Sequence, residues 1–376
     1  ALADAGRDPV GCLINMQTNV TADLEKDFYM NSDAWSGFVQ LTFNLSETLR
    51  TTVGVRYVRE EKEGFRELFL YQSGTKNDVD PVTGAILGAL NIEAHQLDRV
   101  RDVGVTLPSV NVQWDATPDV MTYLTATQGA KSGSFDARNN NASYGPGGGG
   151  SNFEFEDELA TAYELGAKMT LADGAAELNL AIYHVKYEDM QVSVFDGVAG
   201  FVVSNAGSAL TQGIELDSRW LLSEWFMLSG SLAYLDFEWL DYREGPCVAT
   251  AEEDICDLSG KENQQTPKWT AAVSGTFSYP LSSDIMLDFT ADASYKDTHF
   301  TSGDLDPRGI QEAYTKVNAR LAVGEANGRW SVALVGKNLS DEMTIGIGSP
   351  TVLDVGGFRG TLEPLRSYYL EGRMRF

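Results

Sequence analysis

Three histidines and three cysteines are the side chains in this sequence best suited to bind a metal or attack a substrate. A zinc site needs Cys and His a few residues apart, and a hydrolytic triad needs a nucleophile, a base and an orienting group at one rim. His95, His184 and His299 are far apart, and none adjoins a Ser or a Cys. The residue set therefore points away from an enzyme and from a metal centre. Cys247 and Cys256 flank V-A-T-A-E-E-D-I with no His close by. They read as a loop disulfide made in an oxidising compartment, the alternative being two unpaired thiols; Cys12 is left over. The run from Gly145 to Gly150 is glycine-rich but lacks the Lys and Ser/Thr of a phosphate loop, so it reads as a flexible loop. N-D-V-D-P-V-T-G (Asn77 to Gly84) and S-G-D-L-D-P (Ser302 to Pro307) each hold two acidic residues close together, which suits either calcium in a loop or an Asp-rich turn.

Composition narrows the class. The 376 residues carry a net charge of -26, which argues against nucleic acid as a partner. Mean hydropathy is -0.20, and no run approaches the ~18 apolar residues of a transmembrane helix. A membrane β-barrel is still open, because its strands alternate and their hydropathy averages out.

Alternation is what the chain shows. In W-T-A-A-V-S-G-T-F-S-Y one face reads Trp269, Ala271, Val273, Gly275, Phe277, Tyr279 and the other Thr270, Ala272, Ser274, Thr276, Ser278. After the turn P-L-S-S-D, Ile285 to Tyr295 repeats the pattern. The apolar faces end in aromatics, as in the girdles of a transmembrane barrel, and the Ser, Thr and Asp of the second face suit a wet lumen. The same hairpin recurs at Trp35 to Leu45 with Leu49 to Arg59, Val103 to Trp114 with Val120 to Gln128, Leu159 to Leu171 with Ala176 to Val194, Gly200 to Trp220 with Trp225 to Trp239, and Ala313 to Val323 with Trp330 to Lys337. With Pro364 to Phe376 this predicts about 13 strands of an all-β, antiparallel up-and-down transmembrane barrel.

Short turns alternate with long polar segments: Glu61 to Asp102, Lys131 to Glu158, Asp241 to Thr266, Phe300 to Glu312 and Ser340 to Glu363. Phe195 to Ala199 is a short tip on two long strands. Short turns belong on the periplasmic side and long loops outside. No loop stands out as one that folds inward to narrow a pore. An odd strand count implies further strands upstream of residues 1–376, which form a single partial barrel domain. Strand parity sends Arg56, Glu164, Lys168, Glu215, Asp217, Arg219, Asp288, Asp292, Lys296, Arg320, Lys337 and Arg373 to the lumen, where they either solvate it, hold a plug or touch a ligand.

Five stretches then resemble, in order along the chain, the TonB-dependent receptors of the bacterial outer membrane: V-G-V-R-Y-V-R-E-E-K (Val53 to Lys62), G-A-K-S-G-S-F-D-A-R (Gly129 to Arg138), Y-E-L-G-A-K (Tyr163 to Lys168), N-A-G-S-A-L-T-Q-G-I-E-L-D (Asn205 to Asp217) and G-K-N-L-S-D-E (Gly336 to Glu342). The resemblance implies the C-terminal part of a barrel of about 22 strands, whose plug is absent from this chain. It implies no chemistry of its own, but energy-coupled uptake of a scarce or bulky nutrient of the siderophore-iron, cobalamin or oligosaccharide class. The implied partners are outer-membrane lipid and lipopolysaccharide, the TonB complex of the inner membrane, the small-molecule nutrient, and the barrel assembly machinery. That machinery would read the terminal strand through Tyr368, Leu370, Met374 and Phe376. Candidate ligand contacts in the long loops are Lys131, Phe135, Arg138 and Tyr144. The competing reading is a passive porin-type channel.

Overall fold

The computed structural model describes residues 22–375, apart from 73, 91, 141–152, 196–200, 249, 254 and 352–355. Thirteen long strands follow one another: β1 (Asp23–Asn44), β2 (Leu49–Gln72), β3 (His95–Thr117), β4 (Val120–Lys131), β5 (Glu158–Leu171), β6 (Ala176–Glu188), β7 (Ser208–Ser223), β8 (Phe226–Asp241), β9 (Trp269–Pro280), β10 (Ile285–Lys296), β11 (Tyr314–Glu325), β12 (Trp330–Lys337) and β13 (Ser367–Met374). Each pairs antiparallel with the next, so the sheet is a meander in chain order. β1 and β13 are its edges. Among the described residues neither outer edge is paired, and the barrel is not closed.

Local chemistry explains the tight ends. In the β1–β2 turn the Ser46 hydroxyl accepts from the amides of Thr48 and Leu49, and in the β9–β10 turn Ser282 does the same for Asp284 and Ile285. The A-D-G-A turn needs Asp173 at φ 53° and Gly174 at φ 91°, a region that Asp tolerates and Gly enters freely. Short turns all fall at one end of the sheet and long connections at the other.

The register sorts the side chains into two faces. On one, Leu124, Leu165, Ile182 and Ile214 stand in a row across β4 to β7. Phe277, Phe289, Leu321, Leu334 and Leu370 make a second row across β9 to β13. No protein covers them: Leu165 is 54% and Leu370 75% exposed. Aromatic pairs bound this belt, with Trp225 against Tyr279 (5.2 Å) near the short turns and Tyr234 against Trp269 (4.9 Å) farther up. A continuous exposed apolar belt between aromatic rims is the lipid-facing surface of a membrane barrel.

Two elements differ from the sequence reading. Residues 61–72 and 95–102, expected in a loop, extend β2 and β3, which reach 24 and 23 residues beside the 22 of β1. Leu68 and Leu70 on the extension are buried beneath the helix α1 (Pro81–Ala89) through Leu87, which holds the strand together far beyond the belt. The pair of strands expected to run unbroken to a tip near 195–199 is interrupted instead. The chain turns at Asp189 (φ 53°), the Asn205 side-chain Nδ2 donates to the Asp189 carbonyl, and a separate hairpin, Gln191–Phe195 with Phe201–Asn205, begins.

Candidate functional site

The face opposite the belt is polar, and the long connections pack down on it. All twelve charges sorted by parity lie on this face by register, from Arg56 opposite Phe38 to Arg373 opposite Ser331. Several are held by neighbours. Arg56 donates to the Ser36 hydroxyl, Tyr123 donates to Glu164, and Arg219 and Arg320 pair with Glu177 and Glu371, each at 2.8 Å. Ser278 donates to Asp288 and Asn318 to Asp292, both at 2.6 Å. Lys168 lines a hollow with Asp115, Asp119 and Glu177 near the short turns. Glu215, Asp217 and Lys296 line another, floored by Ser231, Ala233 and Ala272. Lys337 stands opposite Ser367.

The β4–β5 connection is where the structure departs most from expectation, because it does fold inward. Lys62, Gly64, Arg66 and Arg101 all belong to the polar face of β2 and β3, and the connection rests on each of them. Lys62 donates to the Ser132 hydroxyl (2.8 Å) and the Gly133 carbonyl (2.7 Å). Arg66 donates to the Asp136 carbonyl (2.6 Å). Arg101, with only 6% of its side chain exposed, pairs with Glu154, Glu156 and Asp157 at 3.1, 2.7 and 2.9 Å. Phe135 stacks on Phe153 at 4.9 Å and lies flat on Gly64, where any Cβ would overlap its ring. Gly64→Ala is therefore expected to lift Phe135 from the wall at a cost of about 1–3 kcal/mol. The readout is faster amide exchange at residues 134–136 with the belt strands unchanged.

The candidate ligand contacts thus fall in different settings. Lys131 is exposed at the end of β4, opposite Glu158. Arg138 is half exposed, donates to Ser193, and lies 3.8 Å from Asp136. Phe135 is buried, at 4% exposure, and its ring is spent on packing. Tyr144 lies outside the described residues, as do Cys12, Phe376 and Gly145 to Gly150. Tyr368, Leu370 and Met374 are exposed on the apolar face of β13. The sequence reading passed over the anchors Lys26, Lys62, Arg66, Arg101 and Asp136, and weighed His95 only as a metal ligand or catalytic base. The signal was there in the even-numbered run Lys62, Gly64, Arg66, Leu68, Leu70, which continues the alternation of β2 past Arg59.

Two further packings cap the polar face. Cys247 and Cys256 are bonded within the β8–β9 connection. Its Tyr242 and Leu258 bury against Trp239, Ala206 and Ala209. In the β10–β11 connection Asp306 caps a turn and grips Arg308, which lies over Phe358. Asp80 similarly caps α1, accepting from Thr83, Gln72 and Val82, and these bonds hold its carboxyl well below the usual range. In both Asp-rich stretches a carboxylate is thus engaged by its own turn. The histidines sit apart, with His184 on the apolar face of β6 beside Gln212 and His299 buried beside the Asp297 carbonyl. No group of three or more His, Cys, Asp or Glu among the described residues could hold a metal ion.

Comparison with known proteins places this architecture. A curated relative, the metal-pseudopaline receptor CntO of Pseudomonas aeruginosa, is 26% identical over 174 residues, covering 46% of this chain and 21% of that protein. The ferric yersiniabactin uptake receptor FyuA of Yersinia pestis superposes with a TM-score of 0.70 at 16% identity, covering 94% of this chain and 47% of that one. The siderophore receptor PiuA of Acinetobacter baumannii gives 0.64 at 17% identity, covering 92% and 43%. The chain thus spans about half the length of these receptor structures and a fifth of the curated relative. The family model for the TonB dependent receptor-like β-barrel matches residues 10–339, most of the chain, and the protein belongs to that family of outer-membrane receptors.

Proposed function

We propose that this chain forms the C-terminal part of the barrel of an outer-membrane receptor that imports a metal ion held by a small organic chelator, driven by the TonB complex. The observation that carries the reading is the polar face overhung by packed connections. Such an overhang supports a selective receptor, since a passive pore needs an open lumen. The printed ligands of the similar receptors, metal-pseudopaline and ferric yersiniabactin, support the chelate class. Strand parity supports a larger barrel. Thirteen antiparallel strands leave β1 and β13 running the same way, so closing an even barrel of about 22 strands takes an odd number more. In this reading the belt meets lipid and lipopolysaccharide, the long connections face outward, the twelve polar-face charges line the lumen, and β13 presents Tyr368, Leu370 and Met374 to the assembly machinery. Lys131 and Arg138 stand nearest an incoming ligand.

The test is uptake of a radiolabelled metal chelate by cells making the full-length protein, with TonB present and deleted. Accumulation is expected to need both the receptor and TonB. Uptake that persists unchanged without TonB would replace this reading with the passive channel.

A further inference from the structure

The anchor between β2 and residues 132–140 contains a histidine whose protonation state the geometry dictates. His95 begins β3 on the polar face, in one row with Leu68 of β2 and Lys26 of β1. Arg66 Nε donates to His95 Nε2 at 2.9 Å. A guanidinium N–H can only donate, so Nε2 must carry a lone pair. The ring's proton then sits on Nδ1, 2.7 Å from the Glu93 carbonyl, which can only accept. Two fixed partners thus admit one neutral tautomer and exclude the imidazolium.

The same guanidinium holds the connection. Its Nη1 donates to the Asp136 carbonyl, its face lies 5.2 Å from the Phe153 centroid, and the residue is fully buried. Its Nη2 is buried without an acceptor, so there is no spare bond to take up a changed load. Lys26 completes the clamp by donating to the carbonyls of Arg138 (2.8 Å) and Asn139 (3.2 Å) and to Asn140 Oδ1 (2.6 Å). The charged groups around His95 are Arg66 from β2, Lys26 from β1 and Glu93 from its own connection. Asp136, from the docked segment, sits beside Arg66 and Lys26 and is engaged by the amides of Arg138 and Val203. Helix α1, P-V-T-G-A-I-L-G-A, contributes no titratable side chain.

We propose that protonation of His95 releases residues 132–140 from the wall made by β1 and β2, so that this part of the receptor mouth opens in acid. A proton on Nε2 turns the acceptor of the Arg66 bond into a donor aimed at another donor. It also puts a third positive charge beside Arg66 and Lys26. The guanidinium must swing away, and its Nη1 then leaves the Asp136 carbonyl. Burial, with help from the two cations, pushes the docked imidazole below its ordinary range, against the pull of the Glu93 carbonyl. The released ring titrates near about 6.5. Docking is therefore at full strength above about pH 6.5 and is lost as the pH falls towards the docked value, by at most about tenfold in the docking constant per pH unit.

The experiment is amide exchange at residues 132–140 of the full-length protein in detergent, from pH 7.5 to 5, corrected for intrinsic exchange. Protection is expected to fall by up to about tenfold per pH unit below about 6.5 in the wild type. It should be independent of pH in His95→Gln, whose Oε1 can still accept from Arg66. Flat protection in the wild type, or the same fall in His95→Gln, overturns the proposal. Should that variant not fold, the imidazole nitrogen spectrum of the wild type at pH 7.5 decides. A ring protonated on Nδ1 is expected, and one protonated on Nε2 overturns it.

Discussion

Val273→Arg is expected to cost the folded barrel about 2–4 kcal/mol, while Ser274→Arg, one residue along, costs close to nothing. Val273 is 47% exposed on the apolar face, midway between Trp269 and Tyr279, with Gly230 and Ala293 beside it. An arginine there must hold its charge at the centre of the hydrocarbon layer, too far from either rim to reach water. Ser274 faces the other way, beside Ser229 and Asp292, where a guanidinium finds water and a carboxylate. Urea titration of the full-length protein in lipid vesicles measures both. Equal destabilisation of the two variants would mean that the faces are assigned wrongly.

Arg101→Met is expected to free residues 154–158 from β3 at a cost of about 2–3 kcal/mol. Removing one partner of a buried ion pair costs about 3–5 kcal/mol, and here the cost is reduced because Glu156 is 66% exposed and stays hydrated. Asp157, at 13% exposure, loses the most, since it would keep only the Gly133 amide of the two donors that now hold it. Its loosening would undo the fold of the connection around Gly133. Arg101→Lys should lie between, because an ammonium is a point charge and cannot span three carboxylates as the guanidinium fork does. Protease cleavage within 153–158 tracks the effect. Unchanged cleavage in Arg101→Met would mean that the connection is held without it, by Lys26, Lys62, Arg66 and Phe135.

Much of the sheet was legible because its physics is local. Trp269 to Tyr279 and Ile285 to Tyr295 were read within a residue of β9 and β10, since a period of two ended by aromatics needs no distant information. The turns were legible for the same reason, through Ser46, Ser282 and the Asp173–Gly174 pair. The connections were not. Their fold rests on contacts such as Arg66 with Asp136, 70 residues apart, and Arg101 with Asp157, 56 apart. A charge in a polar stretch gives no sign of whether it faces water or a carboxylate from elsewhere. Phe135 shows the limit most clearly. Its G-x-K-S-G-x-F segment marked it as notable, but only the flat seat offered by Gly64 shows that its ring is used for packing.

The most direct test of the two-faced sheet is a nitroxide scan along β9, from Thr270 to Ser278, in the full-length protein reconstituted in lipid, reading collision with oxygen and with a water-soluble nickel chelate. Residues 271, 273, 275 and 277 should favour oxygen, and residues 270, 272, 274, 276 and 278 the chelate, with the contrast greatest at 273 and 274. Accessibility without a period of two, or with the two sets exchanged, would contradict a sheet that turns its apolar belt to lipid and its charges to the lumen.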